Sequence, residues 1–225
     1  MTEQFALNLP PRIDFSEDSF VEGTANTDAR AALARWRDWP RAVMALTGPE
    51  GAGKSHLGFI WAKEADARII QACELEAALA DLPPKCALLI EDVDADLPEQ
   101  ALFHAINRAA EGDISALLMT ARKPPVLWGA SLPDLVSRLR ALPNVALQEP
   151  DDALLTQVML KQLADRGAHA NPGVIEYLLP RMDRSVAAAR QLVDMLNKRA
   201  LGKKTPVTRH VAREVLEAWA EQGDD

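Results

Sequence analysis

Long apolar runs are what this sequence most plainly lacks. No stretch approaches the ~18 residues that a helix needs to cross a bilayer, so no membrane span is expected. The N-terminus has no basic segment followed by an apolar one and a small-residue cleavage site, so no secretory signal is expected either. Cysteine is scarce: Cys73 and Cys86 stand alone, and they fit neither a disulfide framework nor a CxxC metal or redox site. Together these absences point to the cytoplasm. His56, His104, His169 and His210 are scattered without ligand spacing, which argues against a metal site built on them.

Positive charge is short as well. Lys and Arg number 25 against 33 Asp and Glu, a formal net charge of −8. Proteins that grip nucleic acid through its phosphates are normally basic, so strong direct DNA binding is disfavoured. The local exception is Lys198, Arg199, Lys203 and Lys204 around Gly202, which reads as a solvated helix end whose cations complement the helix dipole.

What is present is a chain of 225 residues, 48% hydrophobic, with no internal repeat and no low-complexity tract. That suits one generous domain, or a domain with a smaller appendage. Residues 1–26 read as extended or irregular. Helical periodicity runs over 28–39. Short apolar runs at 41–47, 67–72, 86–92 and 115–121 read as strands. Between them lie helical stretches after residue 54, over 74–82, and over 98–112 with a proline start and a glycine stop. A further helix is read over 132–141. Strands alternating with helices imply a parallel sheet covered on its faces. After Pro150 only helix-periodic segments follow. Asp151 and Thr208 sit where N-caps belong, and Gly167 and Gly202 where helices should stop.

The stretch GPEGAGKS at 48–55 has the spacing G-x-x-x-x-G-K-[ST], after an expected strand and at the start of an expected helix. Gly48, Gly51 and Gly53 let the backbone curl so that successive N–H groups face phosphate oxygens, with Pro49, Glu50, Ala52 and His56 completing the loop and first turn. The helix adds its positive end. Lys54 is expected to reach the outer phosphates, and the Ser55 hydroxyl to ligate Mg²⁺. A phosphate loop calls for an acid at the end of a neighbouring strand. LLIED supplies Glu91, expected to hold Mg²⁺ through water, and Asp92, expected to orient an attacking water.

With both motifs placed, the sequence resembles the AAA+ ATPases, within them the DnaA initiator group, and most specifically the Hda family of DnaA-related regulators. The resemblance covers nearly the whole chain. It implies an α/β AAA+ P-loop domain with a parallel sheet flanked by helices, followed by a smaller all-helical lid domain. The expected boundaries are 1–14 for an N-terminal peptide, 15–150 for the nucleotide-binding domain and 151–225 for the lid. The segment FSEDSFVEGTAN at 15–26, including Val21, looks like the one that packs around the adenine. Thr120, at the end of the sensor strand, is placed to watch the γ-phosphate. The lid arginine that senses nucleotide is Arg184 or Arg190, and the register favours Arg184. LPDLVSRLRALPNVALQEPD at 132–151 looks like the segment bearing an arginine finger, which the match puts at Arg138. DnaA carries a C-terminal helix-turn-helix domain, and this chain stops at Asp225 right after the expected lid.

The opening MTEQFALNLPPR then has an expected use. QFALNL looks like a sliding-clamp-binding motif, with Gln4, Phe5, Leu7 and Leu9 on the motif positions. Such side chains belong in a partner's apolar cleft, bound as an extended peptide. The implied function is negative regulation of replication initiation. A nucleotide-bound protein, carrying ADP or ATP with Mg²⁺, binds the DNA polymerase sliding clamp and stimulates hydrolysis of DnaA-bound ATP in trans. Homodimerisation stays open. Two departures stand out. Glu91 occupies a position more often Asp, which implies weak intrinsic hydrolysis, and Arg122 stands where initiators tend to have an acid. Two rival readings are a self-sufficient AAA+ ATPase, such as a helicase loader, and a P-loop kinase for a small molecule.

Overall fold

The computed structural model describes residues 15–170, 172–203 and 207–222. Gln4, Phe5, Leu7 and Leu9 lie outside the described residues. Among those described, five strands form one sheet: β1 (Val43–Thr47), β2 (Ala67–Gln71), β3 (Cys86–Glu91), β4 (Ile114–Ala121) and β5 (Asn144–Ala146). Their order across the sheet is β2-β3-β4-β1-β5, and every pairing is parallel.

The three central strands are largely apolar and buried because both faces of the sheet are covered. Side chains of alternating parity go to opposite sides. Val43 and Ala45, Leu88 and Ile90, and Leu117 and Met119 face one core. That core is closed by helices α3 (Leu75–Asp81), α4 (Glu99–Ala110) and α5 (Pro133–Arg140). Met44 and Leu46, Ala87 and Leu89, and Ala116 and Leu118 face the other, under α1 (Thr27–Ala34) and α2 (Lys54–Ala65). A third core, including Leu155, Met159, Leu178, Leu192 and Leu196, is built by α6 (Asp152–Asp165), α7 (Pro172–Leu178), α8 (Val186–Lys203) and α9 (Arg209–Gln222).

Local differences from expectation have local causes. The strand expected from residue 41 begins at Val43, because Pro40–Ala42 form a 3-10 turn with Arg41 and Ala42 at φ 55° and 57°. The helix expected over 28–39 ends at Ala34. The chain then turns so that Trp39 stacks on Trp61 of α2, ring centroids 5.4 Å apart. β5 was not expected at all. It is three residues long and only partly covered, so it lacks an apolar run. Asp151 caps α6, its carboxylate accepting from Leu154 N at 2.7 Å. Gly202 does not stop a helix, since α8 continues through Lys203. In the basic cluster, Arg199 pairs with Glu214 of α9 at 3.0 Å.

Candidate functional site

Strand register gathers the motif residues. Thr47 of β1 pairs with Ala121 of β4, and Ile90 of β3 with Met119. The loop from Gly48, the Glu91–Asp92 pair and Arg122 therefore all emerge at the carboxyl ends of adjacent central strands. In open α/β sheets this is where ligands bind. The loop conformation is demanding at two glycines. Gly48 has φ +146°, and a Cβ there would lie 2.6 Å from Leu147 O. Gly51 has φ +71°, and a Cβ there would lie 2.8 Å from the Ser185 Cβ.

Lys54 opens α2 and is almost wholly buried. Its ammonium donates to the carbonyls of Gly48 and Pro49, each at 2.9 Å. Burial holds its pKa below the usual lysine value, with the nearby Asp92 carboxylate acting in the opposite sense. A desolvated cation held by carbonyl oxygens gains by meeting an anion. It lines a cavity of about 210 Å³ with Glu50, Ser55, Asp92, Arg122 and Arg190. The donor set fits phosphate: a curled backbone, a helix N-terminus and three cationic side chains.

The acids behave differently from each other. Glu91 is buried, accepts from the Thr120 hydroxyl at 2.9 Å and does not line the cavity. Asp92 is exposed, takes φ 52°, and does line it. Thr120 in turn accepts from Asp92 N at 2.9 Å, so one buried hydroxyl fixes both acids. Among the described residues no group of three or more His, Cys, Asp or Glu assembles to hold a metal ion. A magnesium ion here would rest on Ser55, one carboxylate and the phosphates themselves, as this ion commonly does.

The opposite wall comes from α8. Val186 N and Ala187 N donate to Gly51 O at 2.9 and 3.3 Å. One turn on, Arg190 donates to His56 Nδ1 at 2.6 Å. A guanidinium has no acceptor, so Nδ1 accepts and the ring proton sits on Nε2. That nitrogen donates to Ser16 O at 3.0 Å. Phe15 and Phe20 meet the same imidazole edge-on, centroids 5.6 and 5.2 Å away. Beside them a narrower cleft is lined by Val21, Asn26, Ala52, Leu154 and Val158. Arg184 is elsewhere: it pairs with Asp152 at 2.8 Å and is not part of the cavity wall. The register expectation favoured Arg184. The feature that singles out Arg190 is its helical spacing from Val186, i to i+4 on the face that meets Gly51. Phe15 and Phe20 were not individually foreseen.

Arg138 sits in the last turn of α5. No hydrogen bond or ion pair engages its guanidinium among the described residues, and it does not line the cavity. Its helix is fixed from the other end. Glu99 of α4 accepts from Ser131 N, Ser131 Oγ and Leu132 N at 2.9, 2.9 and 2.6 Å.

No family model matches the chain. Among solved structures it is similar to domain III of the Thermotoga maritima replication initiation protein DnaA, at 20% identity and TM-score 0.76, covering 93% of this chain and 98% of that one. It is also similar to AMPPCP-bound DnaA from Aquifex aeolicus, at 18% identity and TM-score 0.63, over 81% of this chain and 65% of that one. A third likeness is to the Thermotoga maritima RuvB Holliday junction branch migration motor, at 18% identity and TM-score 0.66, over 87% and 69%. No helix among the described residues is long and apolar enough to cross a membrane. The five-stranded parallel sheet with its flanking helices is an AAA+ fold, of the kind seen in DnaA domain III and RuvB.

Proposed function

We propose that this chain is a nucleotide-binding AAA+ regulator of the Hda type, with residues 15–150 and 151–225 acting as nucleotide-binding domain and lid. ADP or ATP occupies the loop Gly48–Ser55, with Lys54 and Arg190 on the phosphates. The base lies toward Val21 in the cleft between the 15–26 segment and α6. Mg²⁺ is held at Ser55 with Glu91 or Asp92 through water, where it neutralises phosphate charge. The chain's own hydrolysis is weak, because Glu91 is turned into Thr120.

The observation that carries the regulatory reading is Arg138. It is unengaged among the described residues and away from the chain's own cavity. A cation so placed serves another subunit's nucleotide. There it would neutralise charge on a transferring phosphoryl group, an effect worth roughly 10³–10⁵ in rate. The partner on this reading is ATP-bound DnaA. Gln4, Phe5, Leu7 and Leu9 tether the chain to the sliding clamp, which raises local concentration without a basic surface. The test is turnover of DnaA-bound ATP with DNA-loaded clamp. Arg138→Ala should fold, bind nucleotide and bind clamp, yet fail to stimulate hydrolysis. Lysine should rescue poorly, since an ammonium cannot bridge two phosphate oxygens as a guanidinium does. Undiminished stimulation by a folded Arg138→Ala variant would refute the assignment. Strong turnover by this chain alone would favour the self-sufficient ATPase.

A further inference from the structure

One ion pair at the mouth of the cavity is used by none of these roles. Arg122 follows Ala121, whose pairing with Thr47 sets it beside the phosphate loop. Its own N–H and that of Lys123 donate to the Asp94 carboxylate, each at 3.0 Å, which anchors the backbone there. The guanidinium then reaches across to Glu50 Oε2, on the loop itself, at 3.0 Å. Both side chains line the cavity with Lys54 and Ser55. Both are largely solvent-exposed, 61% and 77%, so their pairing contributes little by itself and a stronger anion can displace it.

We infer that Glu50 and Arg122 form a charge latch that sets the chain's preference between nucleoside diphosphates and triphosphates. The inference rests on the nucleotide-binding reading above and goes beyond it. The loop residue Glu50 is a negative charge on a structure otherwise organised to attract phosphate. Its carboxylate competes with any phosphate for one guanidinium. A third phosphate brings additional negative charge that must either displace Glu50 from Arg122 or be repelled by it. A diphosphate carries less charge and has less need of Arg122. The closed latch therefore biases the site toward the diphosphate, and opening it admits the triphosphate.

The two partners should consequently have opposite effects. Glu50→Gln frees Arg122 and should raise the ratio of ATP to ADP affinity by about fivefold, the weight of one exposed charge contact. Arg122→Ala leaves Glu50 unopposed and should lower that ratio by a similar factor. Arg122→Lys should lie between, because it keeps the charge and loses the fork. The experiment is calorimetric titration of the full chain and each variant with ADP and with ATP, alongside thermal melts. Both residues are exposed, so the melts should be unchanged without nucleotide. Ratios that stay within the error of the parent, or that shift in the same direction in Glu50→Gln and Arg122→Ala, overturn the latch. A parent protein that binds neither nucleotide overturns the underlying nucleotide reading as well.

Discussion

The two walls of the cavity are held by different kinds of force. On the sheet side, position is fixed by strand register and by fully buried side chains. Thr120 bonds Glu91 and Asp92 N, and Lys54 is gripped by two loop carbonyls. On the helical side, the contacts include two N–H groups at Gly51 O and an arginine–histidine bond to α2. The first wall is continuous with the core of the sheet. The second meets the loop through polar contacts and is tied to the 15–26 segment by Val21 and Ala25, which pack on the helical core, so it can shift without disturbing the sheet.

Removing Lys54 should produce the largest effect. Lys54→Ala deletes the buried cation, and nucleotide affinity should fall about a hundredfold, the scale for losing one partner of a desolvated charge pair. The check is the thermal upshift with excess ADP. At 100 times the dissociation constant the parent should gain about 2.7 kcal/mol, and the variant almost none. An upshift retained by Lys54→Ala would break the comparison, because the sheet wall would then not be dominant.

Disturbing the junction should come next. Gly51→Ala places a methyl 2.8 Å from Ser185 Cβ at φ +71°, so it strains the loop and pushes α8 away together. The backbone part alone should cost about 1–2 kcal/mol, read as a lower melting temperature with weaker nucleotide binding. Arginines on α8 and just before it then sharpen the contrast. Arg190→Ala should weaken nucleotide binding about tenfold, as loss of a charge-assisted bond at a partly buried site. Arg184→Ala should change it less than about twofold, because an exposed pair with Asp152 is all that is lost. Equal effects would mean that the helices meet the ligand in another register.

Acid should give the smallest and most diffuse effect. Glu99 is held below the ordinary carboxylate value mainly by Ser131 N–H, then Leu132 N–H, and Asp151 mainly by Leu154 N–H, then the Thr24 hydroxyl. Each is depressed in the folded state, so its contribution is complete above the ordinary carboxylate range. That contribution declines as pH falls through the folded value. Glu99→Gln and Asp151→Asn should flatten the acid limb of a stability–pH curve by lowering stability at neutral pH, where the carboxylate contribution is complete, and should converge with the parent in acid.

How far these walls were legible in the sequence follows from the same difference. GPEGAGKS between an apolar run and a helical stretch carries its geometry locally, since the glycines and Lys54 act within a few residues of each other. Short apolar runs announced four of the five strands, but runs apolar on both faces do not tell which residue faces which core. What periodicity does not carry is the rotation of one helix against a distant loop. Both Arg184 and Arg190 lie in an amphipathic stretch, and only the meeting of Val186 and Ala187 with Gly51 tells them apart. The three-residue β5 was invisible for another reason: it depends on pairing with β1 and has no apolar signal of its own. Glu91 was recognised as an acid at a strand end. That it turns inward to Thr120 depends on a neighbouring strand, and so could not be read from LLIED.

The paired N–H groups at Gly51 O have a mechanical consequence. They make the phosphate loop the fulcrum of a lever. With 18 residues, α8 is about 27 Å long at 1.5 Å per residue, so a tilt of about 5° at its first turn carries its far end about 2 Å. Any rearrangement of the loop around a phosphate is thereby magnified at the opposite end of the helix, where α9 packs against it.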